Sequence, residues 1–158
     1  MQLEIPTERR ILTLCLIHDD ERILLGLKKR GFGMNRWNGF GGKVQPGEFI
    51  EEAAKREVLE EANLTLTEFT EKGLLFFSFD NDTPFLEIHV FHGTEYSGEP
   101  QESEEMKPQW FLKKDIPYSD MWADDPYWLP LFLEGKSFTG HFHFKDNDTL
   151  LQHEVKEV

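Results

Sequence analysis

A chain of 158 residues, 39% of them apolar and including 14 phenylalanines and 4 tryptophans, can close one hydrophobic core and is too apolar to stay disordered. Its net charge of −13 excludes a general nucleic-acid binder, which needs a basic face. No run approaches the ~18–20 apolar residues that span a bilayer.

The N-terminal MQLEIPTERR carries glutamates and no apolar centre, unlike a targeting segment. The expectation is one domain over residues 1–158, located in the cytoplasm, with a mitochondrial-matrix or nuclear fraction left open. No unexplained apolar stripe is visible, so a monomer is expected. In chain order, Ile11–Ile17 is nearly continuous apolar, as a strand buried on both faces would be. It contains the single cysteine, Cys15, which reads as a small buried hydrophobe. His18–Glu21 turns the chain into a partner strand, Arg22–Leu27. A loop with Gly31, Gly33, Gly39, Gly41, Gly42 and Gly47 follows. So many glycines suggest either close backbone approach or several positive-φ positions.

From Glu48 to Ala62, apolar residues at three- and four-residue spacing (Ile50, Ala53, Ala54, Val58, Ala62) predict an amphipathic helix, with Asn63 as a left-handed cap. Strands follow at Gly73–Phe79 and Phe85–His92, joined by the turn Asp80–Pro84, and another near Gln109–Leu112. Asp125 as N-cap and Pro126 as first helical residue open a helix to Leu133. Phe138–Phe144 and Thr149–Lys156 form a closing hairpin. In it His141 and His143 alternate with Phe142 and Phe144 and so face outward rather than forming a metal site. The fold class is α/β (α+β), a mixed sheet sandwiched between helices.

Charge is uneven. Residues 22–47 carry Arg22, Lys28, Lys29, Arg30, Arg36 and Lys43 with no acid, whereas residues 48–62 carry six glutamates against Lys55 and Arg56. A basic glycine loop running into an acidic helix suits a polyphosphate with its metal; ordinary surface charge explains the composition equally well. Glu57, Glu60 and Glu61 share one helix face, where like charges cost a few tenths of a kcal/mol per pair, roughly. The helix dipole opposes Glu60 and Glu61 in the last turn by about 0.3–1 kcal/mol each. A divalent cation would reverse both penalties, and carboxylate oxygens suit Mg²⁺ or Mn²⁺.

Gly42, Glu48, Arg56, Glu57, Val58, Glu60, Glu61 and Leu64 match the pattern G-x5-E-x7-R-E-U-x-E-E-x-G-U, with U aliphatic. The chain therefore resembles the Nudix hydrolases, with Asn63 replacing the pattern's last glycine. The resemblance implies a Nudix fold and attack by water on a bridging phosphorus, releasing a monophosphate and pyrophosphate. It implies that Glu57, Glu60 and Glu61 ligate Mg²⁺, with the Gly41 carbonyl added, and that Arg56 braces Glu48. Glu61 is the first choice for general base. Glu105 is a candidate base or further ligand, although its acidic segment alone reads as a surface loop.

Two further segments, KKRGFGMNRWNGFGGKV (28–44) and MWADDPYW (121–128), are similar to the oxidised-purine nucleoside triphosphate hydrolases of animals, and the likeness runs from Arg10 to Val158. It implies an aromatic slot of Phe32, Phe77, Phe79 and Trp122, with Trp128 and Phe144 nearby. Asn38, Asp124 and Asp125 would read the base edge, and Thr13 and Lys28 would line the mouth. Two acids in a dry slot cannot both ionise comfortably. A protonated Asp donates a hydrogen bond and an ionised one only accepts, so exchanging a proton within the pair would admit both 8-oxo-guanine and 2-oxo-adenine. Leu86 stands where relatives carry methionine, a mild swap that could tilt substrate preference. The implied role is removal of oxidised and methylated purine triphosphates from the nucleotide pool. Two alternatives remain: a Nudix enzyme for another nucleoside diphosphate derivative, and a non-catalytic nucleotide-binding module.

Overall fold

The computed structural model describes residues 4–158. The two expected N-terminal strands are β1 (Arg10–His18) and β2 (Arg22–Lys28). Their side chains alternate between two cores: Leu14, Leu16, Ile23 and Leu25 face one, and Cys15, Ile17 and Leu24 face the other. Both faces of the sheet are therefore dry, which is why these runs are apolar without a break.

The remaining strands are β3 (Trp37–Asn38), β4 (Thr65–Phe79), β5 (Leu86–Ser97), β6 (Met106–Leu112), β7 (Phe138–Asp146) and β8 (Thr149–Glu157). They form one mixed sheet in the order β3-β2-β1-β5-β4-β7-β8, with β6 paired to β2. The β1–β5 and β4–β7 pairs are parallel. Helix α1 (Ile50–Ala62) covers one face through Ala54, Val58 and Ala62. Helix α2 (Asp125–Leu133) covers the other through Trp128, Leu129 and Phe132. The expected sheet between helices is what the chain builds.

Local differences have local causes. Helix α1 begins at Ile50 rather than Glu48, because Gly47 turns the chain at φ 80° and Phe49 stays extended. Glu52 accepts a hydrogen bond from the Phe49 N–H at 3.1 Å, and the helix starts there. At its other end Asn63 takes the left-handed conformation expected of it, φ 61°, and donates its N–H to Leu59 at 3.1 Å. Asp125 does not cap α2. Asp124 occupies the N-cap position in a helical conformation, Asp125 is the first helical residue, and neither side chain caps. Strand β4 starts eight residues before the expected Gly73 and bends through three register shifts. Gly73 lies inside it, where a Cβ would sit 2.3 Å from the Phe138 ring.

One irregularity positions the site. Strands β1 and β2 pair only at Ile17–Leu24 and His18–Ile23. Beyond that point the segment Phe40–Lys43 enters the split and bonds to the free edge of β1. Phe40 N–H donates to Cys15 O at 2.9 Å, and Thr13 N–H donates to Gly42 O at 2.9 Å. A Cβ on Gly41 would lie 1.8 Å from the Thr13 carbonyl oxygen, so only glycine fits this insertion.

Candidate active site

A cavity of about 770 Å³ is lined by the inserted loop, β1, β5 and the segment leading into α2, a size ordinary for a small-molecule site. It brings together Thr13, Lys28, Phe32, Asn38, Gly41, Glu61, Phe77, Leu86, Trp122, Asp124 and Asp125. Phe79 is not in the lining; it lies behind, stacked on Phe144 at 5.3 Å and edge-on to Phe32 at 6.5 Å. Glu57, Glu60 and Glu105 also lie outside the lining.

Glu61 is almost fully buried and accepts the Gly41 N–H at 2.9 Å. Burial pushes its pKa up to about 8, and the neighbouring Glu57 adds to the rise. Burial also raises Glu57. A Cβ on Gly42 would come within 2.6 Å of the Glu57 carboxylate, so the loop and the helix are fitted to each other. Arg56 sits at the centre of this acidic face. It grips Glu48 through two nitrogens at 2.8 and 3.0 Å, and reaches Glu57 at 2.8 Å and Glu60 at 3.2 Å. Arg56 braces Glu48, as expected, but also holds two of the three carboxylates expected to bind metal. Among the described residues no group of three or more His, Cys, Asp or Glu side chains stands at metal-holding spacing.

Glu105 is tied to Lys28 at 2.9 Å and to Arg30 at 2.7 Å, and the Lys28 contact, first, with the Arg30 one holds its carboxyl below the usual range. Trp122 and Phe32 lie 5.0 Å apart in the aromatic slot. Asp124 and Asp125 are 2% and 3% exposed. Burial raises both pKa values, and the charge of Asp124 raises Asp125 further. Asp124 accepts a hydrogen bond from the Trp128 indole at 2.7 Å, which favours its ionised form, so the shared proton rests on Asp125. Asn38 accepts the Gly39 N–H through its Oδ1 at 2.9 Å, leaving its amide nitrogen as a donor.

Sequence reasoning missed part of the lining. Leu12, Leu14, Leu75 and Ile88 supply further apolar wall, Arg10 and Lys43 add cations, and residues 81–84 form rim. The two-residue period of a strand would have found Ile88 from Leu86. The Asp80–Pro84 turn was legible as a turn, but nothing local marked residues 81–84 as lining, because their place depends on how β4 and β5 lie against β1.

The chain matches the NUDIX domain family over residues 8–132. It is 50% identical over 149 residues to an oxidized purine nucleoside triphosphate hydrolase of Mus musculus, covering 94% of this chain and 96% of that protein. It is equally similar, with the same coverage, to the protein of that name from Danio rerio. Among solved structures, a MutT protein from Bacillus halodurans superposes with a TM-score of 0.83 at 28% identity, over 93% of this chain and 97% of that one. With this motif in place on this sheet, and likeness over nearly its whole length, the chain belongs to the Nudix hydrolase family.

Proposed function

We propose that this protein hydrolyses oxidised purine nucleoside triphosphates, such as 8-oxo-dGTP and 2-oxo-dATP, and also methylated ones, to the monophosphate and pyrophosphate. One observation carries the reading. Thr13 Oγ1, Asp124 Oδ1 and Asp125 Oδ2 are buried polar atoms without a hydrogen-bond partner, and all three residues line the cavity shared by Trp122 and Glu61. Buried polar atoms are rarely left unpaired, so these suit a ligand with a polar edge and a flat face. The half-identical relatives named above support the same substrate class.

The residues fit a hard divalent cation. Glu57 and Glu61, two carboxylates driven toward protonation by burial, with Glu60 adding to the rise at Glu57 and Glu57 to that at Glu61, offer only oxygen. Glu57, Glu60, Glu61 and the Gly41 carbonyl would hold Mg²⁺ or Mn²⁺, with Glu105 joining once released from Lys28 and Arg30. An ion held there would neutralise phosphate charge and lower the pKa of a bound water. Glu61 takes the proton from the attacking water, and Lys28 faces the phosphates. Trp122 and Phe32 clasp the base while Asn38 donates to its edge. Asp125 donates and Asp124 accepts in one protonation state, and the roles reverse when the proton moves. We further place the protein in the cytoplasm as a monomer. The monomer is supported by exposed large apolar side chains, such as Phe49, Tyr127 and Leu151, that come from separate elements.

The test is Mg²⁺-dependent turnover of 8-oxo-dGTP, 2-oxo-dATP, methylated purine triphosphates, dGTP and ADP-ribose. The modified purines should be preferred over dGTP. Turnover of ADP-ribose alone would shift the reading to another nucleotide derivative, and binding without any turnover would reduce it to a binding module.

A further inference from the structure

Trp122 is a broad wall of the cavity, and besides Phe32 and Phe77 of the lining it packs against a residue that is not in the lining. The guanidinium carbon of Arg36 lies 4.5 Å from the centre of the Trp122 ring, yet Arg36 is not part of the lining. It therefore supports the indole from outside. The same guanidinium donates to the Asn147 carbonyl oxygen at 2.7 Å and forms an ion pair with Asp148. One cation thus joins the glycine loop, the segment before α2 and the β7–β8 turn, three stretches with no backbone link at this point. Its side chain is only 20% exposed while that of Asp148 is 82% exposed, so Arg36 is the fixed member of the pair. Gly33, at φ 82°, completes the seat. A Cβ there would lie 3.1 Å from the Trp122 ring nitrogen.

We infer that Arg36 is a positioning residue for base recognition: it sets the plane of Trp122 from behind and makes the β7–β8 turn part of the specificity apparatus. A cation held against an aromatic face is attracted by the ring quadrupole, and fixing the wall in advance lowers the ordering cost of binding a flat ligand. This inference rests on the reading that Trp122 stacks on the purine.

The test uses the full chain with Arg36→Met, which keeps the stem without the charge, Arg36→Lys, which keeps the charge without the fork, and Asp148→Ala. KM and kcat for 8-oxo-dGTP are measured with Mg²⁺, and the affinity for 8-oxo-dGMP by calorimetry. Arg36→Met should raise KM and weaken 8-oxo-dGMP binding by about tenfold, with kcat within about threefold. Arg36→Lys should be intermediate, because the cation remains but its anchors are lost. Asp148→Ala should act in the same direction by a few-fold, roughly, and add nothing to Arg36→Met in the double variant. A loss confined to kcat, or 8-oxo-dGMP binding unchanged in both Arg36 variants while the wild type binds it, would overturn the positioning role and leave the substrate reading intact. Failure of the wild type to bind 8-oxo-dGMP would overturn both.

Discussion

The buried Glu61 carboxylate should make the metal-free protein less stable as pH rises, and Glu61→Gln should remove that dependence. Glu61 is 5% exposed, and burial raises its pKa from 4.5 to about 8. In the folded chain it keeps its proton across that window, while in the unfolded chain it has lost it. The folded state then binds more protons, so stability falls as pH climbs from 4.5 through 8. Each pKa step is worth about 1.36 kcal/mol. Once water entry is allowed for, ionised Glu61 should cost about 2–4 kcal/mol above pH 8. Glutamine keeps an oxygen to accept the Gly41 N–H and carries no charge. In EDTA, urea unfolding of Glu61→Gln should match the wild type near pH 4.5 and exceed it by about 2–4 kcal/mol at pH 8. Added Mg²⁺ should stabilise the wild type most at high pH and the variant little, while hydrolysis is lost in the variant. A difference between the two proteins that stays flat from pH 4.5 to 8 would refute the reasoning.

Acid should destabilise by a separate route. His92 stacks on His18 at 4.2 Å, and burial, first, then His18 itself lower its pKa from 6.5 to about 4. The unfolded chain takes up that proton first, so stability should be lost as pH falls from 6.5 toward 4, and His92→Asn should blunt the loss in a thermal-melt series. Gly41→Ala should cost about 3 kcal/mol or more and abolish turnover, since a Cβ at 1.8 Å from the Thr13 carbonyl oxygen must expel the loop from β1; a folded, active variant would contradict the insertion. Arg56→Lys, lacking the two-pronged grip on Glu48, should lower stability by about 1–3 kcal/mol and weaken Mg²⁺ activation. Asp124→Asn and Asp125→Asn should change both the pH profile of KM and the ratio of 8-oxo-dGTP to 2-oxo-dATP turnover. If neither changes, the shared proton plays no part in recognition.

The legible parts of the fold were those written in short sequence windows. The apolar run of β1, the spacing of α1 and its asparagine cap, and the alternation of β7 each reflect a local preference that the tertiary structure left intact. Asp125 misled because Asp-Pro is a strong helix-start signal, whereas here burial beside Trp128 claims both aspartates for a cavity wall. Strand β3 is two residues long and exists only because β2 offers an edge. The early half of β4, with its Glu68, Glu71 and Lys72, resembles a surface segment until β5 pairs with it. Arg36 counted only as part of a basic stretch, since its partners at 122, 147 and 148 lie far along the chain. The spacing of the α1 glutamates placed Glu57, Glu60 and Glu61 on one face, but their division, Glu61 on the Gly41 N–H and Glu57 and Glu60 on Arg56, depends on rotamers that spacing alone does not fix.

The split between β1 and β2 also bears on the order in which the molecule assembles. The loop that fills it bonds to β1 across roughly 30 residues of chain, and β1 itself is held in parallel by β5, a far more distant partner. Such contacts close large loops and so form late in folding. A refolding chain should regain helical signal from α1 well before it can hydrolyse anything. Catalytic competence then reports the last closure of the sheet, and a nascent chain lacking β5 has no means of destroying a nucleotide.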